Sequence, residues 1–139
     1  MMLTTKGRYA VMAMVDIAVH SKGSPITLGE IAERQHIALN YLEQIFGKLR
    51  KEGLVDSVRG PGGGYMLTSP AASVCIADII LAVDEKVKIT RCEGELSSGC
   101  MHDKTPCLTH DLWEGLGNNI INYLRSVSLE DVCNRNVLK

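Results

Sequence analysis

From Thr27 to Thr68 the chain carries a helix start, an apolar helical stripe and a glycine-rich turn in immediate succession, and few folds accommodate that order. Thr27-Leu28-Gly29-Glu30 is a T-x-x-E capping box. Its threonine hydroxyl can accept from the third helical N–H while the glutamate reaches back to the threonine N–H. A short helix through Ile31, Ala32 and Arg34 is predicted, followed by a brief turn over residues 35–39. The next helix, about 39–52, places Leu42, Ile45, Phe46 and Leu49 at i, i+3, i+4 and i+7, a single stripe for a core. At about 100° per residue, Asn40, Gln44, Gly47 and Lys51 point away from that stripe. Tyr41 and Lys48 flank them on one side and Glu43 on the other, with Gly53 as C-cap. Two helices joined by a tight turn, the second with a polar outer face, make a helix-turn-helix or a plain helical hairpin.

The segment that follows favours the former. Two short strands, 54–58 and 65–68, enclose Arg59-Gly60-Pro61-Gly62-Gly63-Gly64. A hairpin directly after the second helix is a wing, and glycines at its tip let backbone approach a phosphate chain without a Cβ in the way. Arg59 at its base suits a narrow minor groove. A nucleotide-binding loop is excluded, because no Lys-Ser/Thr follows the glycines and a strand, not a helix, comes next. The expected fold is mainly α: a winged helix-turn-helix with a small β-hairpin wing and a long C-terminal helix.

Residues 5–20 read as a helix apolar on nearly all sides, and 74–84 as an amphipathic one through Ile76, Ile79, Ile80 and Val83. From about Leu108 to Ser126 a longer helix spaces Trp113, Leu116, Ile120, Tyr123 and Val127 alternately three and four apart, a coiled-coil-like seam expected to dimerise. Gly115 and Gly117 weaken that helix in isolation, so it needs a partner surface. Ser128 to Asp131 caps a final short turn. The expected organisation is a DNA-binding domain over 1–85 (recognition helix about 39–52, wing 54–68), a ligand-bearing loop over 86–107, and a dimerisation helix with C-terminal segment over 108–139.

The longest apolar run, Ala10 to Val19, is interrupted by Asp16 and too short for a bilayer, and no cleavage site follows it; a cytoplasmic protein without membrane contact is expected. Residues 1–70 hold eight Lys+Arg against six Asp+Glu, leaving +2, while 71–139 hold seven against ten, leaving −3. Any basic face therefore belongs to the N-terminal half. Five cysteines, an odd number with no secretion signal, argue for metal or redox chemistry over a disulfide scaffold.

Three of those cysteines lie within Arg91 to His110, spaced Cys92-x7-Cys100-x6-Cys107-x2-His110. No tight Cys-x2–4-Cys pair of the zinc-knot kind is present; Cys107 and His110, three apart at a helix start, form the one close pair. His102 is a spare candidate. Three thiolates and an imidazole suit structural zinc or an iron–sulfur cluster, and spacing does not choose between them. A nucleophilic Cys107 lacks any oxyanion hole or orienting group nearby, so an enzyme is not expected. Cys75 and Cys133 read as small buried hydrophobes.

Together, LTTKGRYAVMAMVDIA (3–18), YLEQIFGKLRKEGLV (41–55), SVRGPGGGYML (57–67), AVDE (82–85), RC (91–92) and CLTHDLW (107–113) resemble the IscR-type winged-helix regulators, bacterial sensors of iron–sulfur status. The resemblance covers nearly the whole chain in order. It implies a homodimer on a pseudo-palindromic double-stranded DNA operator, mainly a repressor of iron–sulfur assembly genes and an activator elsewhere. It also implies one 2Fe–2S cluster per subunit on Cys92, Cys100, Cys107 and His110, supplied by the assembly machinery. Tyr41, Glu43, Gln44 and Arg59 fall where such proteins touch DNA, and Thr27, Asn40, Lys48, Arg50, Lys51, Ser57 and Gly60 complete the candidate set. The cysteine spacers are longer than that pattern, and Asn40 and Gly47 stand where it has serines. A nitric-oxide- or redox-responsive repressor of the same fold and a zinc-structured DNA-binding protein are the alternatives.

Overall fold

The computed structural model describes residues 4–83, 105 and 107–138. Its elements are α1 (Thr5–His20), α2 (Leu28–Gln35), α3 (Leu39–Lys51), β1 (Val55–Val58), β2 (Gly64–Leu67), a 3₁₀ turn (Ala71–Ser73), α4 (Ile76–Ala82), α5 (His110–Ser126) and α6 (Leu129–Cys133). The architecture is a winged helix with a long C-terminal helix, as the sequence led one to expect.

The α3 stripe is the centre of the core. Leu42, Ile45, Phe46 and Leu49 are fully buried, with Met14 and Ile17 of α1, Ile31 of α2, Val55 of β1, Ile79 and Ile80 of α4 and Leu129 of α6. Each such side chain contributes roughly 1.5–3 kcal/mol when removed from water. The capping box forms as expected: Glu30 N–H donates to Thr27 Oγ1 at 3.2 Å, and Thr27 N–H to Glu30 Oε2 at 2.8 Å. The turn into α3 is set by His36 in the left-handed region (φ 55°), and Ile37 N–H returns to the Ala32 carbonyl at 3.2 Å. Burying Ile37 there holds the two helices in register.

α1 is less enclosed than its composition suggests. Gly7, Ala10, Ala13, Met14, Asp16 and Ile17 are buried, but Met12 and Val19 stay open. α2, α3, α4, α6 and β2 all pack against α1, and the residues they bury leave Met12 and Val19 uncovered.

The hairpin pairs Val55 with Leu67, Ser57 with Tyr65 and Val58 with Gly64. It is also tied to the start of the helix pair, because Ile26 exchanges hydrogen bonds with Tyr65 at 3.0 and 2.7 Å. Gly64 sits at this crossing with φ 150°, and a Cβ there would collide with the Ile26 carbonyl and the Thr27 nitrogen. Tyr65 lays its ring on Phe46, centroids 4.9 Å apart.

The C-terminal helices are fastened to the same body. Ile76 N–H donates to the Val127 carbonyl at 3.0 Å and Leu129 N–H to the Val74 carbonyl at 2.7 Å, around an isolated bridge between Cys75 and Ser128. Ser128 and Asp131 form a second capping box that starts α6.

Candidate nucleic-acid interface and metal centre

α3 turns Asn40, Glu43, Gln44, Arg50 and Lys51 to solvent, while Lys48 is half-buried. This outer row carries amide, carboxylate and cationic groups whose reach and hydrogen-bonding capacity match base edges and phosphates in a major groove. Lys48, Arg50 and Lys51 also complement the negative end of the helix dipole. Tyr41 is half-buried with its ring edge-on to Tyr9, centroids 5.7 Å apart. Its hydroxyl end is thus carried on an aromatic pair rather than on a mobile side chain.

Arg59, expected at the base of the wing, instead follows β1 into the tip turn with Gly60; both are exposed, and Gly60 takes φ 92°, a conformation that favours glycine. Ser57, half-buried, lies inside β1 opposite Tyr65. Thr27 is exposed, with its hydroxyl already engaged in the capping box, and the Ile26–Tyr65 pairing places it beside Gly64. The start of α2 and the wing base are therefore parts of one hydrogen-bonded unit.

Sequence reasoning missed what braces that unit. Asp16, buried in the apolar face of α1, accepts from Arg34 Nε at 2.9 Å, Arg34 Nη2 at 2.7 Å and Gln35 Nε2 at 2.9 Å. Burial pushes the carboxyl up, but hydrogen bonds from Arg34 and Gln35, with the charges of Arg34 and His20, outweigh it and hold it below the usual range. The bidentate fork fixes the end of α2 against α1, and so fixes where the turn into α3 begins. The available signal was a lone carboxylate within an apolar helix, with Arg-Gln closing the next one.

At the other end, Cys107 and His110 meet at the start of α5. His110 N–H donates to the Cys107 carbonyl at 3.1 Å, and the Cys107 Sγ lies 3.4 Å from the Thr109 hydroxyl. Both residues are half-buried. The His110 Nε2 faces Glu114 Oε2 at 3.8 Å, and Asp111 adds a carboxylate within 4.8 Å of both. Cys92, Cys100 and His102 lie outside the described residues. Cys75 and Cys133 are half-buried, and burial pushes both thiols up, which makes them poor ligands and poor nucleophiles.

Along α5 no residue is buried. Leu112, Trp113, Leu116 and Tyr123 are 60, 39, 41 and 51% exposed, an apolar face left open among the described residues. Val127 departs from that seam. It follows the last turn in extended conformation, is buried in the intrachain core, and pairs with Ile76. The helix ends one residue too early for Val127 to continue the stripe, and the strand-like return to α6 claims it instead.

Fold and site together define a winged helix-turn-helix DNA-binding protein that carries a cysteine and a histidine, Cys107 and His110, at the entry to its long C-terminal helix. The model of one family, Rrf2, described as iron-dependent transcriptional regulators, matches residues 3–135. The chain belongs to the Rrf2 family of transcriptional regulators. It is 54% identical to the HTH-type transcriptional regulator IscR of Photorhabdus laumondii over 134 residues, 96% of this chain and 80% of that one. Among solved structures it resembles T. potens IscR (TM-score 0.77, 35% identity, 97% of this chain and 88% of that one). It also resembles CymR, the global cysteine regulator of B. subtilis (TM-score 0.78, 30% identity, 97 and 98% covered). These relatives are transcription regulators, not enzymes. Among the described residues no helix is long and apolar enough to cross a membrane.

Proposed function

We propose that the chain is an iron–sulfur-sensing regulator that binds a pseudo-palindromic operator as a homodimer and acts mainly as a repressor of iron–sulfur assembly genes. In this reading residues 1–85 read DNA, 86–107 hold most of the ligands, and 108–139 dimerise. The observation that carries it is the placement of Cys107 just before, and His110 at the start of, a helix whose apolar face is open among the described residues. A ligand pair at the entry to the dimerisation helix links a chemical state to the spacing of two DNA-reading units.

The donor set of Cys92, Cys100, Cys107 and His110, three thiols and one imidazole, suits a 2Fe–2S cluster chemically. Cys107 and His110, three residues apart and joined by a backbone hydrogen bond, offer one soft and one borderline donor, both half-buried. Such a cluster, bound through one imidazole in place of a thiolate, has a raised potential and a ligand that acid can remove. On the DNA side, Gln44 reads a base edge, Lys48 and Arg50 meet phosphates, and Arg59 enters the minor groove beside the α3 site. Trp113, Leu116, Ile120 and Tyr123 form the homodimer seam.

The test is anaerobic reconstitution followed by visible absorption, iron and sulfide analysis, and operator titration with and without cluster. The expected result is a coloured protein with iron and sulfide in equal amounts and an operator affinity that depends on occupancy. A colourless zinc protein, or equal affinities of both forms for every operator, refutes the sensing role.

A further inference from the structure

Gly47 stands in the middle of α3, exposed, on the side away from the buried stripe. Glycine in a helix interior lowers stability relative to alanine, because its backbone gives up more freedom on folding. The fold does not require it here. Its backbone is helical with no positive φ, and a Cβ built on it meets no atom of the described residues within 4 Å apart from its neighbours in the helix. Gly64 is the contrast, since a Cβ there would strike the Ile26 carbonyl. The lack of a side chain at Gly47 therefore has its consequence outside the chain, on whatever α3 faces.

Its neighbours on that face are Glu43 and Gln44 one turn before and Arg50 and Lys51 one turn after, all exposed. Their longer side chains surround a bare stretch of helix backbone whose N–H and C=O groups are taken up within α3. The result is a shallow apolar notch in a polar face. In a major groove, the nitrogens and oxygens of base edges need a hydrogen-bonding partner, which Gly47 lacks; the one apolar protrusion there is the thymine 5-methyl. We propose that Gly47 is a specificity-determining position that admits a thymine methyl against the α3 backbone. The inference rests on the reading of α3 as the helix that enters the major groove. A Cβ would fill the notch and turn a favoured base into an obstructed one.

The test pairs Gly47→Ala with operators in which single thymines are replaced by deoxyuridine, which removes only the methyl. The operator is a duplex selected from random sequence by the wild-type protein, and affinities are read by fluorescence anisotropy at one fixed salt concentration. At the facing thymine of a half-site, deoxyuridine should weaken the wild type about fourfold, the loss of one buried methyl. Gly47→Ala should bind the thymine operator about tenfold more weakly, as for one mismatched base pair. It should bind the deoxyuridine operator more tightly than the thymine one, reversing the sign seen in the wild type. Thermal melts should place Gly47→Ala at or above the wild-type midpoint, since alanine favours the helix. A lower midpoint overturns the premise that the fold has no need of glycine. Unchanged operator affinity in Gly47→Ala, or a deoxyuridine effect of wild-type sign at every thymine, overturns the notch. A Gln44→Ala protein with wild-type affinity and base preference overturns instead the placement of α3 in the groove.

Discussion

Asp16→Asn isolates the brace between α1 and α2, because it keeps the volume of the side chain and removes only its charge. The Asp16 carboxylate has no exposed side-chain surface and accepts three hydrogen bonds, two from Arg34 and one from Gln35. An amide presents one oxygen and turns an N–H toward groups that are themselves donors. Hydrogen bonds to a charged partner contribute roughly 1.5–3 kcal/mol against about 1 for neutral pairs. The substitution removes that difference from each bond and opposes donor to donor at one of them. Arg34 is one-third exposed, so water recovers part of the loss. The net destabilisation expected is about 2–3 kcal/mol at neutral pH, or roughly 1–2 M in the urea midpoint.

The same pair carries a pH signature. The Asp16 carboxyl is held below its ordinary value of 3.8, since hydrogen bonds from Arg34 and Gln35 overcome the opposing effect of burial. Its stabilisation is therefore fully present above that value and is lost as pH falls through the lowered one. Wild type and Asp16→Asn should differ most at neutral pH and converge in acid, followed by far-UV circular dichroism at fixed protomer concentration. An unchanged midpoint at neutral pH, or a gap that persists in acid, refutes the electrostatic brace.

Gln44→Ala should cost roughly 1–3 kcal/mol at a single operator position, whereas Lys48→Ala should weaken all sequences alike and flatten the salt dependence, both read by fluorescence anisotropy. Leu116→Glu, on a face 41% exposed, should leave the fold intact and shift the protein to monomer in light scattering; a dimer of unchanged affinity would discard α5 as the seam. Gly64→Val should lower stability by roughly 1–3 kcal/mol, because its φ of 150° and the nearby Ile26 carbonyl both oppose a side chain. A thermal melt matching wild type would show that the wing base tolerates rearrangement.

The parts legible in the sequence are those governed by neighbours in the chain. The α3 stripe, both capping boxes and the glycine-rich turn follow from spacings of three, four and two residues, and each forms where those spacings place it. What escaped depends on distant partners. Asp16 announces itself only as an interruption, since its meaning lies eighteen residues away in Arg34. The Ile26–Tyr65 pairing joins residues with no shared periodicity. Val127 continues the α5 spacing on paper, yet the chain turns extended there to meet Ile76. For the candidate site, Cys107 and His110 were readable as a close pair, but the approach of Glu114 to a particular ring nitrogen required coordinates.

The pairing of Val127 with Ile76 makes α5 a cantilever. Its C-terminal end is riveted to the body, and its far end, seventeen residues away, begins at His110. At about 1.5 Å per residue the arm is roughly 25 Å long. A displacement of about 1 Å at the His110 end, pivoting at Val127, tilts the arm by about 2° with respect to the riveted end. A load applied at the tip bears on the root, where the Val74–Ile76 segment leads straight into the core helix α4.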